Sequence, residues 1–337
     1  MRKLVVSLVA ITAIAVLLIH CGGSSLPRVT PQASSVAFLE QKPSSTLLYP
    51  VLGKLSGSQF TTTMIKDPST GNYVSAAIGS IILSAKGDKA TLDVFGGTDN
   101  SAPTDQWDIY VGTIDGAILT QVTNDAYDDE VPHFNPAGTK VIYTSERPVG
   151  SQTLLTVIRN VDGTSEQVLP LPAGAEGTSH ATFSPDSRKL AVEAWGYTGS
   201  TPFDGIFVMN ADGSNPTMLT NADTPDCWCE DEDPYFTSDG SHIVYNRQNW
   251  TTNLADIYIM TADGTGITKL TDGTGANFDP LAIRDATSSA DRILFSSNRD
   301  NVNAGKNGFD LYIMNLDGTG LQRLTTNSFY DLSLIHI

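Results

Sequence analysis

The 337-residue chain is long enough for one large domain or two small ones, and its 40% apolar and 8% aromatic residues can fill a sizeable core. A formal net charge of −17 argues against electrostatic attraction to nucleic-acid phosphates or to an anionic membrane surface. It favours cations and basic protein surfaces as partners. The 29 glycines and 17 prolines are scattered at turn-like sites, which is typical of short strands joined by tight turns.

Residues 1–21 have the pattern of an export signal. Two basic residues precede an apolar run over residues 4–19, and Cys21 follows shortly afterwards. The sequence Leu-Ile-His-Cys that ends at Cys21 resembles the bacterial lipobox, although His20 replaces the expected small residue. That resemblance implies that Cys21 is lipid-modified and becomes the first residue of the mature protein. The alternative is a plain signal or an uncleaved anchor, although the run is shorter than the roughly 20 residues that span a bilayer.

A repeat of about 50 residues organises the rest of the chain, after a flexible tether predicted over residues 22–35. Copies of the pattern DIYVGTIDGAILTQVT start at Asp108, Leu154, Gly205, Asp256 and Asp310. Their Asp-Gly pairs begin at Asp115, Asp162, Asp212, Asp263 and Asp317, in steps of 47, 50, 51 and 54 residues. Each copy predicts two strands, because Asp-Gly supplies the positive φ that a tight turn needs.

A second recurring pattern lies between these hairpins. It combines an aromatic residue, a turn such as Ser-Pro-Asp-Ser, and an apolar alternation, and its copies start at Val131, His180 and Asp233, with a looser one at Asp279. This pattern again predicts strand, turn, strand. Four strands in each unit of about 50 residues are typical of β-propeller blades.

Together these motifs resemble the propeller repeat of the TolB-like family, and the resemblance covers residues 36–331 within a domain predicted over 36–337. It implies an all-β fold of six four-stranded blades. In this family the strands that start near Val131, His180, Asp233 and Asp279 line the axis, and the strand ending in Leu-Thr is outermost.

The first and last blades are incomplete in the sequence. Residues 36–65 match only the second, third and fourth strands of a blade, so the missing inner strand is expected after Asp331. The chain reads LSLIHI there instead of the repeat motif. We therefore expect a truncated reading frame, which would also remove any catalytic domain that follows the propeller.

Acidic residues recur just before the predicted inner strands, and we take them as a candidate site for a cation or a basic peptide at one mouth of the propeller. The candidates are Asp128, Asp129, Glu130, Asp231, Glu232, Asp233 and Asp279. Carboxylate oxygens suit Ca²⁺, so Ca²⁺ is the one cofactor that the sequence leaves open. The alternative is a set of solvated loops in which the aspartates cap turns.

Cysteine, histidine and tryptophan residues provide weaker candidates. Cys227 and Cys229 are the only cysteines after the export signal, and they predict either a short disulfide or two inert thiols. His133 and His180 fall on predicted inner strands. We interpret them either as ligands of a shared metal site or as ordinary residues that line the axis. Trp107, Trp195 and Trp250 are interpreted as blade-packing or mouth residues.

The sequence has no G-x-S-x-G, H-E-x-x-H or G-x-x-x-x-G-K-[ST] motif, so the common hydrolase and nucleotide-binding signatures are absent.

The leading hypothesis is a non-enzymatic, monomeric lipoprotein of the bacterial cell envelope that binds a protein or peptide partner on the periplasmic or cell-surface side. TolB is similar in this respect, since it works in the periplasm with the Tol-Pal system, but this chain lacks room for TolB's N-terminal α/β domain. Two alternatives are the gating propeller of a peptidase of the prolyl oligopeptidase or tricorn type, and a surface carbohydrate binder.

Overall fold

A computed structural model describes most of the repeat region. The described residues are 34–41, 48–56, 59–64, 78–84, 89–95, 106–113, 119–151, 153–223, 227–284, 290–302 and 308–325. The predicted signal with Cys21, residues 22–33 of the tether and the closing strand expected after Asp331 lie outside these residues. Within them, no helix is long and apolar enough to cross a membrane.

The described strands form one three-stranded sheet and five four-stranded sheets, all antiparallel. The three-stranded sheet contains β1 (Ser34–Gln41), β2 (Leu48–Ser56) and β3 (Gln59–Met64). The next two sheets contain β4 (Ile78–Leu83), β5 (Lys89–Phe95), β6 (Trp107–Thr113) and β7 (Leu119–Gln121), then β8 (Asp129–Phe134), β9 (Lys140–Glu146), β10 (Leu154–Asn160) and β11 (Gln167–Val168).

The remaining three sheets follow the same order of strands. They contain β12 (Ala175–Phe183), β13 (Lys189–Thr198), β14 (Thr201–Asn210) and β15 (Thr217–Met218); β16 (Cys229–Phe236), β17 (His242–Asn249), β18 (Leu254–Thr261) and β19 (Thr268–Lys269); and β20 (Asn277–Arg284), β21 (Asp291–Ser297), β22 (Asp310–Asn315) and β23 (Gln322–Arg323). One short helix, α1 (Arg299–Val302), lies between β21 and β22.

The first strands of successive sheets contact one another: β8 contacts β12, β12 contacts β16, and β16 contacts β20. These four strands therefore surround a common axis, and the short fourth strands lie outermost. This arrangement confirms the predicted β-propeller of four-stranded blades. The predicted sixth blade corresponds to the three-stranded sheet β1–β3, whose three strands were all expected from the sequence.

The core lies between neighbouring sheets, because the alternating apolar residues of each blade meet those of the next. Ile142 and Ile158 of one sheet pack with Leu190, Val192 and Phe207 of the following sheet, and all five are buried. A central strand in such a stack is covered on both faces, which explains its nearly continuous apolar sequence.

Four of the five predicted Asp-Gly turns lie among the described residues and form as the sequence predicts, and the turn at Asp115 lies outside them. Gly163, Gly213, Gly264 and Gly318 have φ between 80° and 85°. In the first of these turns the Asp162 carboxylate accepts the backbone N–H of Thr164 at 3.0 Å, and the same bond recurs in the other three turns. The aspartate thus closes the turn while glycine supplies the left-handed backbone.

A threonine hydroxyl fastens the outermost strand to the third strand in four sheets. The backbone N–H groups of Ile109, Ile206, Ile257 and Leu311 donate to the Oγ1 atoms of Thr123, Thr220, Thr271 and Thr325 at 2.8, 2.9, 3.0 and 3.0 Å. The Thr271 hydroxyl in turn donates to Asp256 at 2.6 Å. This threonine clasp explains why the repeat ends in Leu-Thr, because the short threonine side chain carries a hydroxyl that accepts and donates at once.

Replacing Thr271 by Val should lower the free energy of unfolding by about 1–3 kcal/mol, because the Ile257 N–H and the Asp256 carboxylate both lose a partner. Urea unfolding measures the change. The matched control is Thr217→Val in β15, where the side chain is exposed. Equal stability of the two variants would show that the clasp contributes nothing.

Candidate functional site: an acidic cluster at the propeller axis

Each inner strand from β8 to β20 contains one non-glycine residue in the left-handed region. These residues are Val131, His180, Asp233 and Asp279, with φ of 56°, 47°, 53° and 54°. In every case the pairing with the next strand shifts at this point, as in a β-bulge. A bulge redirects the side chains around it. The four positions are equivalent in the repeat, and the second, third and fourth carry ionisable side chains.

His180 is the centre of a cluster built from the inner strands β8, β12 and β16 and from β13, the strand next to β12. Its Nδ1 lies 2.8 Å from Glu193 Oε2, and its Nε2 lies 3.5 Å from Asp233 Oδ1 on the next sheet. Glu130 and Glu232 interact with it electrostatically. We call Glu130, His180, Glu193, Glu232 and Asp233 the axial cluster, since four of them lie on inner strands around the axis and Glu193, on β13, contacts His180 there.

The charges of the axial cluster determine its protonation. Burial lowers the pKa of His180, but Asp233 and Glu193 outweigh burial and raise the pKa to about 10. Burial, followed by the Asp93 carboxylate, raises the pKa of Glu130 to about 8. Burial and the Glu193 carboxylate hold the pKa of Glu232 well above its ordinary value. At neutral pH the cluster therefore combines an imidazolium with carboxyl groups that retain protons.

The structure brings four of the seven predicted acidic residues together. Glu130, Glu232 and Asp233 belong to the axial cluster, and Asp279 borders it through a side-chain contact with Asp233. The backbone N–H of Asp279 donates to Asn246 Oδ1 at 3.3 Å, which anchors the neighbouring inner strand.

The other three predicted acidic residues point elsewhere. Asp231 is fully buried between sheets and forms two hydrogen bonds with Arg247, at 2.6 and 2.8 Å. Asp129 is the equivalent residue of β8 and is also fully buried, and burial raises its pKa to about 7. Asp128 accepts the backbone N–H of Trp107 at 3.0 Å. Alternation along the strand turns Asp129 and Asp231 away from the face that carries Glu130 and Glu232, whereas Asp128 shares that face and acts electrostatically on Glu130.

The described residues contain no group of three or more His, Cys, Asp or Glu side chains arranged to hold a metal ion. His133 follows the left-handed position of β8 by two residues, so it is equivalent to Thr182 and not to His180. It is buried within its own blade. Ca²⁺ binding stays a prediction of the sequence.

Ser179, His180 and Glu193 lie close together but in a different order from a catalytic triad. The Ser179 hydroxyl is 2.8 Å from His180 Nδ1 and donates to Glu193 Oε2 at 2.5 Å. In a triad the nucleophile and the carboxylate bond to opposite nitrogens of the imidazole. Here both contact Nδ1, while Nε2 faces Asp233.

Cys227 and Cys229 form a disulfide in the structure, with their Cα atoms 5.2 Å apart. Trp228 between them is 46% exposed, and its ring centroid lies 6.4 Å from that of Trp250. This tryptophan pair lies at the end of the ring where the inner strands begin, which we call the mouth. Sequence reasoning missed Trp228 and Glu193, although the exposed position of Trp228 beside a short disulfide was readable from the Cys-Trp-Cys motif.

Comparison with known proteins supports the fold. No family model matches the sequence, and no curated protein matches it. A protein described as a TolB from Agrobacterium tumefaciens is 16% identical with a TM-score of 0.57, over 79% of this chain and 84% of that one. TolB from Acinetobacter baumannii is 15% identical with a TM-score of 0.53, over 95% of this chain and 70% of that one.

The propeller domain of the Trilobed protease from Pyrococcus furiosus is also similar, with 11% identity and a TM-score of 0.52 over 94% of this chain and 86% of that one. Sequence identities this low show a similarity of fold alone. The chain is therefore a β-propeller whose fold is similar to that of TolB proteins.

The axial cluster predicts stability that falls as pH rises. The folded pKa of His180, about 10, exceeds its ordinary value of 6.5, so its contribution is complete below pH 6.5 and is lost as pH rises through 10. Glu130 adds a decrease between its ordinary pKa of 4.5 and its folded pKa of about 8. We expect the free energy of unfolding to drop by at least about 2 kcal/mol between pH 6 and pH 10.

Urea unfolding at several pH values measures this slope in the wild type and in His180→Gln. The variant should lose the part of the slope between pH 6.5 and 10, whereas the control His242→Gln, on β17, should keep it. A wild-type stability that rises over this range would contradict the predicted protonation of the cluster.

Proposed function

We propose that the chain is a non-catalytic, monomeric lipoprotein of the bacterial cell envelope whose propeller holds a protein or peptide partner at its mouth. Cys21 carries the lipid anchor, and the propeller lies on the periplasmic or cell-surface side. The proposal combines the export pattern of residues 1–21, the TolB-like fold and the charge of the axis.

The axial cluster is the observation that carries this proposal. Four carboxyl groups surround one histidine, in a chain whose formal net charge is −17. The net negative charge of the chain steers partners of the opposite sign towards it and rejects those of like charge. The inner strands deliver these groups to one axis, where a loop or a terminus of a basic partner protein would meet them together.

A second candidate function is the gating propeller of a peptidase, and the likeness to the Trilobed protease propeller favours it. That likeness extends over most of both chains but concerns the fold alone. The contiguous gene beyond Asp331 distinguishes the two functions. A hydrolase domain encoded there would support the peptidase, and a closing strand followed by a stop codon would support the scaffold.

Photo-crosslinking in cells tests the scaffold. The photoreactive residue p-benzoylphenylalanine replaces Tyr197, which is 44% exposed where β13 ends at the mouth. The matched control replaces Ile267, which is 45% exposed at the opposite end of a blade, between β18 and β19. We expect a discrete protein adduct from position 197 and none from position 267. Absence of an adduct, or equal adducts from both positions, would contradict a partner held at the mouth.

Lipidation is tested by Cys21→Ala in the full chain. The wild type should incorporate an alkyne-labelled palmitate and sediment with membranes, and the variant should lose both properties because the thiol is the acylated group. The control is His20→Ala, which restores a small residue before Cys21 and should keep the label. A wild type without label would remove the lipoprotein assignment and leave the propeller itself unaffected.

A further inference from the structure

The disulfide between Cys227 and Cys229 encloses only one residue, Trp228. A disulfide stabilises a protein mainly by restricting its unfolded chain, and this effect grows with the number of residues enclosed. Backbone contacts hold the same segment in place. Cys229 pairs with Asn249 on β17. The Trp250 N–H donates to the Trp228 carbonyl at 3.0 Å. The stability of the fold therefore depends little on this disulfide.

The two cysteines line a cavity of about 400 Å³ beside the mouth. Cys227 is half-buried there, whereas Cys229 is only 3% exposed. In thiol–disulfide exchange a thiolate attacks one sulfur of the bridge, and the other sulfur leaves. The difference in exposure directs the attack to Cys227 Sγ and makes Cys229 the leaving group.

The side-chain amide of Asn249 directs an N–H group at the disulfide. Its Oδ1 atom accepts the backbone N–H groups of Thr251 and Thr252 at 3.0 and 3.1 Å. The other end of the amide, Nδ2, donates to Cys227 Sγ at 3.4 Å. A donor that faces a sulfur stabilises the thiolate that forms when the bridge opens.

The charged side chains of the cavity balance one another. Arg247 and Lys269 both line it. Arg247 pairs with Asp231 at 2.6 Å, and Lys269 pairs with Asp256 at 2.6 Å. An attacking thiolate is an anion, and the formal net charge of the whole chain is −17. A cavity of balanced charge therefore admits a thiolate more readily than the acidic surface around it.

We propose that Cys227 and Cys229 form a thiol–disulfide exchange site that oxidises a dithiol of a peptide or protein. In the first step a thiolate of the dithiol bonds to Cys227 Sγ, and the bond to Cys229 breaks. The Cys229 thiolate takes up the proton that the attacking thiol released. In the second step the other thiol attacks the donor's own sulfur, and Cys227 leaves as a thiolate beside the Asn249 N–H and is then protonated. The donor loses two electrons and two protons, and the bridge gains them.

The substrate has to be a dithiol, because a single thiol cannot complete the reaction. Strand pairing keeps Cys229 beside Cys227 after the bridge opens, so Cys229 can expel a single thiol from the mixed disulfide. A second thiol on the same donor competes with this reversal. The exchange consumes the protein's own bridge once per chain, so it goes beyond the proposed function and needs neither turnover nor a held partner.

The test compares the folded chain with the oxidised pentapeptide of residues 226–230, which contains the same ring but no cavity. Dithiothreitol serves as the dithiol, and mass spectrometry of acid-quenched samples follows the opening of the bridge. We expect the bridge of the folded chain to open at least as fast as that of the peptide. A bridge that opens more slowly in the folded chain would be a protected structural disulfide, and the inference would be overturned.

Two single variants identify the attacked sulfur. Cys229→Ser leaves the Cys227 thiol, and Cys227→Ser leaves the Cys229 thiol. Alkylation by iodoacetamide is read at each cysteine by peptide mapping, which also separates Cys21. The Cys227 thiol should react at least about tenfold faster, because it is exposed to the cavity and faces the Asn249 donor. Equal rates would contradict attack at Cys227.

Asn249→Asp tests the donor, because it keeps an oxygen for Thr251 and Thr252 but replaces the N–H with a negative charge. In the reduced wild type the pKa of the Cys227 thiol should lie below its ordinary value of about 8.5. Asn249→Asp should raise that pKa by at least about one unit and slow the opening of the bridge.

The matched control is Asn215→Asp, which makes the same charge change in an exposed turn before β15 and should behave like the wild type. Circular dichroism confirms the fold of every variant. Equal thiol pKa values in the two variants would show that the cavity does not stabilise the thiolate, which also overturns the inference. The crosslinking result at position 197 is independent of all these measurements.

Discussion

The arrangement of the axis depends on one backbone constraint, a left-handed residue in each inner strand from β8 to β20. Val131, His180, Asp233 and Asp279 are not glycine, so each conformation costs of the order of 1–3 kcal/mol. Such strain persists only where the surroundings determine it, and here β8, β12 and β16 each contact the sheets on both sides. Because the bulge recurs in register, it brings ionisable groups from different blades to one place.

Buried acidic residues at equivalent positions of the repeat have different neighbours in different blades. Asp231 has Arg247 directly opposite it, whereas Asp129, its equivalent, has Ser145 there and a pKa raised to about 7. Around the axis, His180 stands among several carboxyl groups and acquires a raised pKa itself. Isolated carboxylates at these depths would be costly, so shared protons and one imidazolium make the acidic axis compatible with folding.

The repeat made the fold predictable, because each hairpin carries its own local signal. The hairpin predicted from Asp256 forms as β18 and β19, and the Asp162 turn forms as its sequence indicates. Local signals are sufficient there, since alternation and turn chemistry act within a few residues. The threonine clasp could not be predicted from the sequence, because a Leu-Thr pair is also compatible with the end of an ordinary strand.

The site was predictable only in part. Glu130, Asp233 and Asp279 lie near the axis in the structure, whereas consecutive acidic residues such as Asp231 and Glu232 point to opposite faces. The contact of His180 with Glu193 depends on pairing between β12 and β13 across a register shift, which no single motif encodes. Function adds a further step, since a shared propeller fold does not define a partner.

The most direct measurement of the account is the ¹⁵N chemical shift of the His180 imidazole followed by NMR as a function of pH, with the signal assigned by its loss in His180→Gln. The account predicts that His180 remains protonated well above pH 7.5, because Asp233 and Glu193 contact its two ring nitrogens. A His180 that titrates near its ordinary pKa of 6.5 would show that the carboxyl groups do not converge on it, and the acidic axis would have to be abandoned.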